Sequence, residues 1–424
     1  MRDDGAQPAD GDLDHRRSEN GGFMRRVVAF AGLPFLSLVT PFLFLPLLSR
    51  LAGADSWLAI AVGQSAGAFA ALFISLGYNT VGPTMVARAQ PGDRADVLRE
   101  SLPVRLVMFL PFTAAAVVVA SMVAPPGHVL ESALMTVALA VSGLSAAWYM
   151  VGVGKAGLLV RYEIAPRMVA TLAAAALLVT TGVVFWYPLL LIVASLVSTA
   201  IFTVRTIGGL RDHRGARGEV GRMLRRNGSA MAIEVAGGAY NALAVTFVSA
   251  MATVAQAATY VSGDKFYRMS QYAASALGNA AQGWVVEAGH ARFPPRARLA
   301  VLAHLGLGVM GFVAFATLGP LLTSLLFGPA VAIDEFTALG FGVATLGIAV
   351  GTALGRVILV ALGARRDFLV CVILGATAGV PAILVLAGLF GAAGGAWGLA
   401  IGEMVSVTAQ TIFVIRRWSR ATTV

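Results

Sequence analysis

Polar residues at helical spacing inside one apolar stretch are the clearest chemical signal in this sequence. Within residues 258–283 they are Tyr260, Asp264, Tyr267, Arg268, Gln271, Ser275, Asn279 and Gln282, most of them three or four positions apart. This spacing places them on one face of a helix. Because so long a polar face has no use against lipid, we expect it to line a hydrated pathway.

Six ionisable residues fall inside stretches that are apolar enough to cross a membrane: Glu234, Asp264, Lys265, Arg268, Arg356 and Glu403. Each would cost about 2.5–3.5 kcal/mol at the centre of a bilayer on insertion scales. We therefore expect these side chains to face a wet cavity or one another. An alternative for Asp264 and Arg268 is mutual neutralisation as an i,i+4 pair, which leaves Lys265 unexplained.

The three cations in this set suit a phosphate. Arg presents paired N–H donors that match phosphate oxygens, and Lys adds a compact positive charge. We expect Lys265, Arg268 and Arg356 to converge on a central cavity and to hold a diphosphate. Neutral hydrogen-bonding and aromatic side chains can bind a sugar, and the candidates for such a role are Tyr260, Tyr267, Gln271, Asn279 and Gln64.

The three acids, Glu234, Asp264 and Glu403, fit two interpretations. They are either coupling sites for a proton or sodium gradient or counter-ions for the buried cations. The sequence has no H-E-x-x-H metal motif and no phosphate-cradling Gly-Lys-Ser/Thr loop. We therefore expect no metal site, no cofactor and no ATP hydrolysis by this chain.

The elements that must position these residues are membrane helices. Apolar residues make up 58% of the 424 residues, charged residues 12%, and the mean hydropathy is +0.80. A soluble protein carries about 25% charged residues, and a helix needs about 20 mainly apolar residues to cross a bilayer. Such stretches lie at 27–49, 57–79, 104–124, 132–152, 168–186, 188–207, 229–250, 258–283, 300–319, 336–362, 368–390 and 395–415.

The basic residues are distributed unevenly among the loops. With twelve spans, 27 of the 31 Lys and Arg residues lie on one side. The opposite loops contain Arg50 as their one basic residue, together with Asp55, Glu131, Asp334 and Glu335. Cytoplasmic loops carry such an excess, so we expect both termini in the cytoplasm. Because the net charge of +10 comes from scattered loops rather than one basic face, nucleic acid is excluded as a partner.

The most basic loop lies at the midpoint of the chain and divides it into halves. The predicted organisation is a disordered cytoplasmic tail at 1–24, an N-lobe of six spans at 25–207, a basic linker at 208–227, a C-lobe of six spans at 228–417 and a cytoplasmic tail at 418–424. Secondary transporters are commonly built from such repeats, with the substrate site between them. The predicted fold class is an all-α integral membrane protein of about twelve transmembrane helices.

Four stretches resemble one transporter family. Residues 45–88, LPLLSRLAGADSWLAIAVGQSAGAFAALFISLGYNTVGPTMVAR, resemble the first hairpin of Wzx-type polysaccharide (O-antigen) flippases, and residues 257–284, AATYVSGDKFYRMSQYAASALGNAAQGW, resemble their eighth helix. Residues 321–331, LLTSLLFGPAV, and 386–407, LAGLFGAAGGAWGLAIGEMVSV, are similar to the turn before helix ten and the hairpin into helix twelve. The resemblance implies the multidrug/oligosaccharidyl-lipid/polysaccharide exporter superfamily, with two six-helix lobes that form a V around a central cavity and work by alternating access.

The resemblance implies a flippase that moves a polyprenyl-diphosphate-linked oligosaccharide to the outer leaflet of a bacterial inner membrane. That activity serves polysaccharide or lipopolysaccharide biosynthesis, with a glycan polymerase and chain-length machinery as partners. A cation-coupled, multidrug-type exporter is the first alternative, and it favours an acidic cavity. A membrane enzyme of glycan assembly is the second, and it usually has large extracytoplasmic loops. We therefore expect a transporter rather than an enzyme.

Overall fold

All regular secondary structure in the described part of the chain is helical. The computed structural model describes residues 44–208, 216–286 and 289–422. The α-helices are α1 (44–51), α2 (Gly53–Ile74), α3 (Tyr78–Arg88), α4 (Arg94–Val123), α5 (Val129–Val141), α6 (Ala147–Val153), α7 (Ala156–Leu159), α8 (Ala165–Thr181), α9 (Trp186–Ile207), α10 (Ala216–Met251), α11 (Val254–Val286), α12 (Gly289–Phe327), α13 (Glu335–Gly351) and α14 (Arg365–Thr422). Ser142–Leu144 and Pro329–Val331 are 3₁₀ turns, and Val160–Ile164 and Thr352–Leu359 are π-helical. The all-α fold class is confirmed.

Eight helical stretches within the described ranges are long and apolar enough to cross a membrane. They are Gly53–Ile74, Arg94–Val123, Val129–Val153, Gly157–Thr181, Trp186–Ile207, Phe293–Phe327, Glu335–Leu359 and Arg365–Trp418. The last contains the predicted eleventh and twelfth spans, with a kink between them at Gly391, where φ is 59°. The helices α10 and α11 occupy the positions predicted for spans seven and eight. Of the predicted first span, 27–49, residues up to 43 lie outside the described ranges.

The loops predicted on the extracytoplasmic side gather at one end of the molecule. Arg50 donates from Nε to the carbonyl oxygen of Leu326 on α12 at 3.4 Å. The hydroxyl of Ser56 lies 3.1 Å from Nδ1 of His128, which is 3.0 Å from the carboxylate of Glu131. The segments before α2, before α5 and at the end of α12 therefore meet, as the predicted alternation of spans requires.

The basic segments gather at the opposite end. Arg99, near the start of α4, donates to the carbonyl oxygen of Ile207 at the end of α9, at 2.7 Å. Arg205 on α9 donates to the hydroxyl of Tyr162 at 3.0 Å. This grouping agrees with the predicted loop sets, while the assignment of the basic end to the cytoplasm stays a prediction.

The helix α2 lies at the centre of the molecule. It packs against α4 and α5 on one side and against α10 and α11 on the other. Glycine allows its close approach to α5, since a Cβ at Gly63 would lie 2.4 Å from the carbonyl oxygen of Ser132 and a Cβ at Gly67 2.3 Å from that of Thr136. The N-half (α1–α9) and the C-half (α10–α14) thus meet mainly along α2. The predicted tail 1–24 lies outside the described residues, and residues 216–227 of the predicted linker begin α10.

Two helices of the N-half are interrupted, and the interruptions lie side by side. After α2 ends at Ile74, Leu76 and Gly77 have positive φ values of 50° and 75°. The chain leaves α5 through a 3₁₀ turn, and α6 begins at Ala147. A Cβ at Gly143 would lie 2.6 Å from the Cβ of Ile74. Each interruption removes backbone hydrogen bonds that a membrane cannot replace, so other protein groups must supply them.

Candidate functional site

Lys265 lies where the two halves meet. Its Nζ donates to Oε1 of Gln64 on α2 at 2.6 Å, and the side chain is half-buried. Among the described residues, no carboxylate forms an ion pair with it. The neutral amide of Gln64 therefore leaves a positive charge at the contact between the halves.

Arg268 forms the ion pair that its spacing indicates. Its Nε donates to Oδ2 of Asp264 at 2.7 Å, and its Nη2 donates to the carbonyl oxygen of Asn241 on α10 at 3.2 Å. The Asp264 side chain is 2% exposed and that of Arg268 30% exposed. This geometry supports mutual neutralisation of the two residues. With Lys265 one position away, the group of three side chains keeps one positive charge in excess.

Glu403 on α14 is buried among neutral donors. The hydroxyls of Tyr240 and Tyr267 donate to its Oε1, the latter at 2.9 Å, and Nδ2 of Asn241 lies 3.5 Å away. Within the described ranges no Lys or Arg pairs with this carboxylate. The acids were expected to be either coupling sites or counter-ions. Asp264 fits the role of a counter-ion, because it pairs with Arg268, and Glu403 does not.

Glu234 on α10 reaches across to the interruption between α2 and α3. Its Oε2 accepts a hydrogen bond from the hydroxyl of Ser75 at 3.1 Å, and its carboxylate lies beside the Asn79 side chain and the backbone N–H of Gly77. The N-terminus of α3 has no side-chain cap of its own. A carboxylate from the C-half thus caps a helix of the N-half, where the positive end of the helix dipole favours negative charge.

Arg105 is a buried cation, and its inclusion among the 27 basic residues of the predicted cytoplasmic side is wrong. It lies inside α4 and is 1% exposed. Its Nη2 donates to the carbonyl oxygens of Gly143 at 2.7 Å and Ser145 at 2.6 Å, and its guanidinium lies 5.9 Å from the ring centre of Trp148. These carbonyls are exposed by the interruption between α5 and α6. The one signal in the sequence is that the predicted span began at residue 104.

Arg356 does not converge with the other two cations, contrary to expectation. The helices α11 and α13 run side by side, with the hydroxyls of Ser270 and Thr345 3.1 Å apart and a Cβ at Gly278 2.7 Å from Cγ2 of Thr352. By these contacts, Arg356 lies beside about residue 282 of α11. Residue 282 is roughly 20 Å from Arg268 along the axis of α11, at 1.5 Å of rise per residue. One diphosphate cannot span that distance. The Arg356 side chain is exposed on the π-helical segment, without a hydrogen-bond or ion-pair partner among the described residues.

The expected glycan-binding residues separate into buried and exposed groups. Tyr260 and Tyr267 are at most 1% exposed and pack against Phe341, with ring centres 5.1 and 6.2 Å apart. Because both rings are buried, they cannot stack on a sugar in this structure. Helical spacing indicates only that the side chains share a face, and it does not indicate whether that face meets a cavity or a neighbouring helix. Gln271 is half-buried and Asn279 exposed, so the polar face of α11 reaches the surface towards its C-terminal end.

Residues 63–67, Gly-Gln-Ser-Ala-Gly, match the G-x-S-x-G pattern of hydrolase nucleophiles. In those enzymes the serine sits on a sharp turn between a strand and a helix. Here the pattern lies within α2, and the hydroxyl of Ser65 donates to the carbonyl oxygen of Ala242 on α10 at 2.5 Å. The Oγ of Ser65 also accepts a hydrogen bond from the hydroxyl of Thr246 at 2.8 Å. Ser65 therefore holds α2 and α10 together.

Comparison with known proteins identifies the fold. No family profile and no curated protein sequence matches this chain. The structure of the lipid II flippase MurJ in an inward closed conformation matches 91% of this chain and 87% of its own, with a TM-score of 0.70 and 9% identity. An inward-facing multidrug resistance MATE family transporter matches 92% of this chain and 99% of its own, with a TM-score of 0.61 and 16% identity. A MOP superfamily transporter from Pyrococcus furiosus matches 93% of this chain and 95% of its own, with a TM-score of 0.60 and 15% identity. The chain thus has the fold of MOP-superfamily transporters.

Proposed function

We propose that this protein is a flippase that moves a polyprenyl-diphosphate-linked oligosaccharide across a bacterial inner membrane by alternating access. In this proposal both termini are cytoplasmic, the two halves move against each other, and a glycan polymerase with chain-length machinery uses the product. The lipid II flippase MurJ has a similar fold. Because one fold serves many functions, the proposal depends on the chemistry between the halves.

The unneutralised ammonium of Lys265 is the observation that carries this proposal. Its hydrogen bond to Gln64 is 2.6 Å long and involves a neutral partner, so a phosphate oxygen would be the stronger acceptor. Arg268 lies on the adjacent turn, with its guanidinium held by Asp264 and with 30% of its side chain exposed. A diphosphate that replaces Gln64 on Lys265 would also accept hydrogen bonds from Arg268.

A polar route supports access to this position. The side chains of Gln271 and Ser275 are half-buried, and that of Asn279 is exposed, so exposure increases along α11 towards the basic end of the molecule. Arg356 lies near the end of this route, roughly 20 Å from Arg268 by helix rise. In the proposal the headgroup passes these neutral side chains, and Arg356 attracts the diphosphate at the entrance.

Contacts between the halves supply the two gates that alternating access requires. Near the end that carries Arg50, the indole N–H of Trp57 on α2 donates to the carbonyl oxygen of Ala258 on α11 at 3.1 Å. Towards the basic end, Ser75 donates to Glu234 at 3.1 Å. In each transport step one set must break while the other holds, and substrate binding would shift the balance between these states.

A cation-coupled small-molecule exporter is the second candidate function. The specific observation in its favour is Glu403, a buried carboxylate without an ion-pair partner in the described ranges. A MATE family multidrug transporter also shares the fold. The same carboxylate would serve a flippase that is driven by a proton or sodium gradient, so Glu403 is our candidate for coupling in either case.

Purified protein in liposomes distinguishes the two candidates. A fluorescent polyprenyl-diphosphate oligosaccharide is placed in both leaflets, and its accessibility to a membrane-impermeant quencher is followed, with protein-free liposomes as the control. We expect exchange between leaflets to accelerate, and a fluorescent cationic drug to remain untransported under an imposed proton or sodium gradient. Gradient-driven drug transport without lipid exchange would contradict the flippase and support the exporter.

A further inference from the structure

An apolar pocket of about 600 Å³ lies in the C-half, away from the contact between the halves. This volume is within the range of roughly 300–1,000 Å³ that is typical of ligand pockets. Its walls come from α12, the π-helical segment and the end of α14, and they are Ala297, Arg298, Val301, Leu302, Leu354, Ile358, Val414, Ile415 and Trp418. Except for Arg298 and the indole of Trp418, these side chains offer contact to hydrocarbon only.

Positive charge surrounds one end of this pocket. Arg298 is exposed at its edge and has no ion-pair or hydrogen-bond partner among the described residues. Arg417, next to the lining residue Trp418, pairs with Asp367 at 2.8 Å, and Arg296 donates to the carbonyl oxygen of Trp284 at 2.6 Å. Because Arg296 and Arg417 have protein partners and Arg298 has none among the described residues, Arg298 is the pocket-lining cation that can bind an external anion.

We propose that this pocket binds a chain of an anionic membrane phospholipid, with the lipid phosphate on Arg298. Basic pockets between transmembrane helices on the cytoplasmic side are known to bind anionic headgroups, and Trp418 is typical of the level where headgroups meet hydrocarbon. The surrounding bilayer supplies such lipids at all times. An apolar wall with one arginine fits this occupant and offers no hydrogen-bonding partners for an oligosaccharide.

The pocket is separate from the proposed substrate route. Leu354 and Ile358 face the pocket from the π-helical segment, whereas Thr352 on the same segment faces α11 at Gly278. A lipid in the pocket would therefore pack against the back of the segment that carries Arg356. The inference concerns a second ligand and holds whether the transported substrate is a lipid-linked glycan or a small molecule.

Native mass spectrometry of the full-length protein in detergent tests this site. The protein is titrated with phosphatidylglycerol or, for comparison, with zwitterionic phosphatidylcholine. We expect tighter binding of phosphatidylglycerol, and about fivefold weaker binding of it by Arg298→Gln, which is the effect of one Arg charge at a membrane surface. Arg88→Gln removes an exposed arginine of the N-half and should leave binding unchanged.

A second pair of variants tests the apolar part of the pocket. Val301→Trp fills the pocket and should abolish retention of the lipid, whereas Val309→Trp, on an exposed position of the same helix, should not. Equal binding of phosphatidylglycerol by the wild type and Arg298→Gln would overturn the proposal. Because Arg298 is exposed, we expect Arg298→Gln to unfold at the same temperature as the wild type. Preferential retention of a polyprenyl diphosphate over phosphatidylglycerol would also overturn it, because the pocket would then belong to the substrate.

Discussion

At the residue scale, one buried and one half-buried charge replace the backbone hydrogen bonds that the helix interruptions remove. Arg105 donates to the carbonyl oxygens of Gly143 and Ser145, at the negative end of α5 and its 3₁₀ turn. Glu234 accepts at the positive end of α3. Each sign of charge matches the helix end that it meets, and Arg105 is close enough to attract Glu234 electrostatically. Burial of these charges is therefore part of the fold.

We predict that Arg105→Met destabilises the protein. The substitution leaves two buried carbonyl oxygens without donors, at a cost of about 1–3 kcal/mol for each. Arg105→Lys, which keeps the positive charge but loses the guanidinium fork, should be intermediate. The midpoint of thermal unfolding in detergent measures the effect, with the exposed Arg88→Gln as the control. If Arg105→Met unfolds at the same temperature as the control, the guanidinium does not hold the interruption.

The site was predictable from the sequence only where both partners lie on one helix. The Asp264–Arg268 pair follows from i,i+4 geometry. The partners of Lys265 and Glu403 come from other helices, and no spacing within one stretch indicates Gln64 or Tyr240. All six ionisable residues lie within helices, but their sorting into pairs, caps and free charges depends on packing between helices.

At the element scale, the start of α3 is a point of contact between the two halves. Its N-terminal residues contribute no cap, and the carboxylate that takes this role belongs to α10 of the other half. Separation of the halves at this end must therefore uncap α3. In the proposed transport cycle, the helix interruption and the gate at this end are therefore the same structural feature.

We predict that Glu234→Ala weakens this contact. Loss of a helix cap costs about 1 kcal/mol, which shifts the ratio of closed to open states by roughly fivefold. Disulfide formation between Leu72→Cys and Gly238→Cys reports the closed state, since a Cβ at Gly238 lies 3.1 Å from the Leu72 side chain. The background carries Cys371→Ser, which removes the native cysteine.

The control for this prediction is Glu131→Gln, which removes a carboxylate that pairs with His128 within the N-half. We expect Glu131→Gln to leave the cross-linking yield at its original value. A yield that is unchanged in Glu234→Ala would show that the carboxylate does not hold the halves together.

Hydropathy located the helices but not their internal breaks. The described helices cover the positions of predicted spans two to twelve. Of these helices, α10 and α11 are not among the eight described stretches that are long and apolar enough to cross a membrane. The predicted second span, 57–79, runs through the break at Leu76 and Gly77. The π-helical segment Thr352–Leu359 was likewise read as regular helix. Both depend on contacts with other helices, which a single apolar stretch does not contain.

At the scale of the whole molecule, the topology is a separate and testable claim. We predict that Asp55 faces the outside of the cell and Gly92 the cytoplasm, because 26 of the 31 basic residues belong to the predicted loops and tails of one side when the buried Arg105 is left out. Both positions are exposed. In a Cys371→Ser background, Asp55→Cys should react with a membrane-impermeant maleimide on intact cells, and Gly92→Cys only after permeabilisation. The reverse pattern would contradict the topology.

The central claim is that the charge of Lys265 at the contact between the halves binds the diphosphate of a lipid-linked glycan. The chain contains a second lysine, Lys155, whose exposed position in a loop makes Lys155→Gln a matched control. Loss of one charge-assisted hydrogen bond to phosphate costs about 1.5–3 kcal/mol. Lys265→Gln should therefore weaken substrate binding roughly 10- to 150-fold.

The most direct test is the rate of lipid exchange in liposomes as a function of substrate concentration, for polyprenyl diphosphate and polyprenyl monophosphate carriers of the same sugar. We predict that the wild type and Lys155→Gln strongly prefer the diphosphate, and that Lys265→Gln loses this preference while Lys265→Arg keeps part of it. All variants should unfold at similar temperatures. A Lys265→Gln protein that retains the wild-type rate and the wild-type preference for diphosphate would contradict the account.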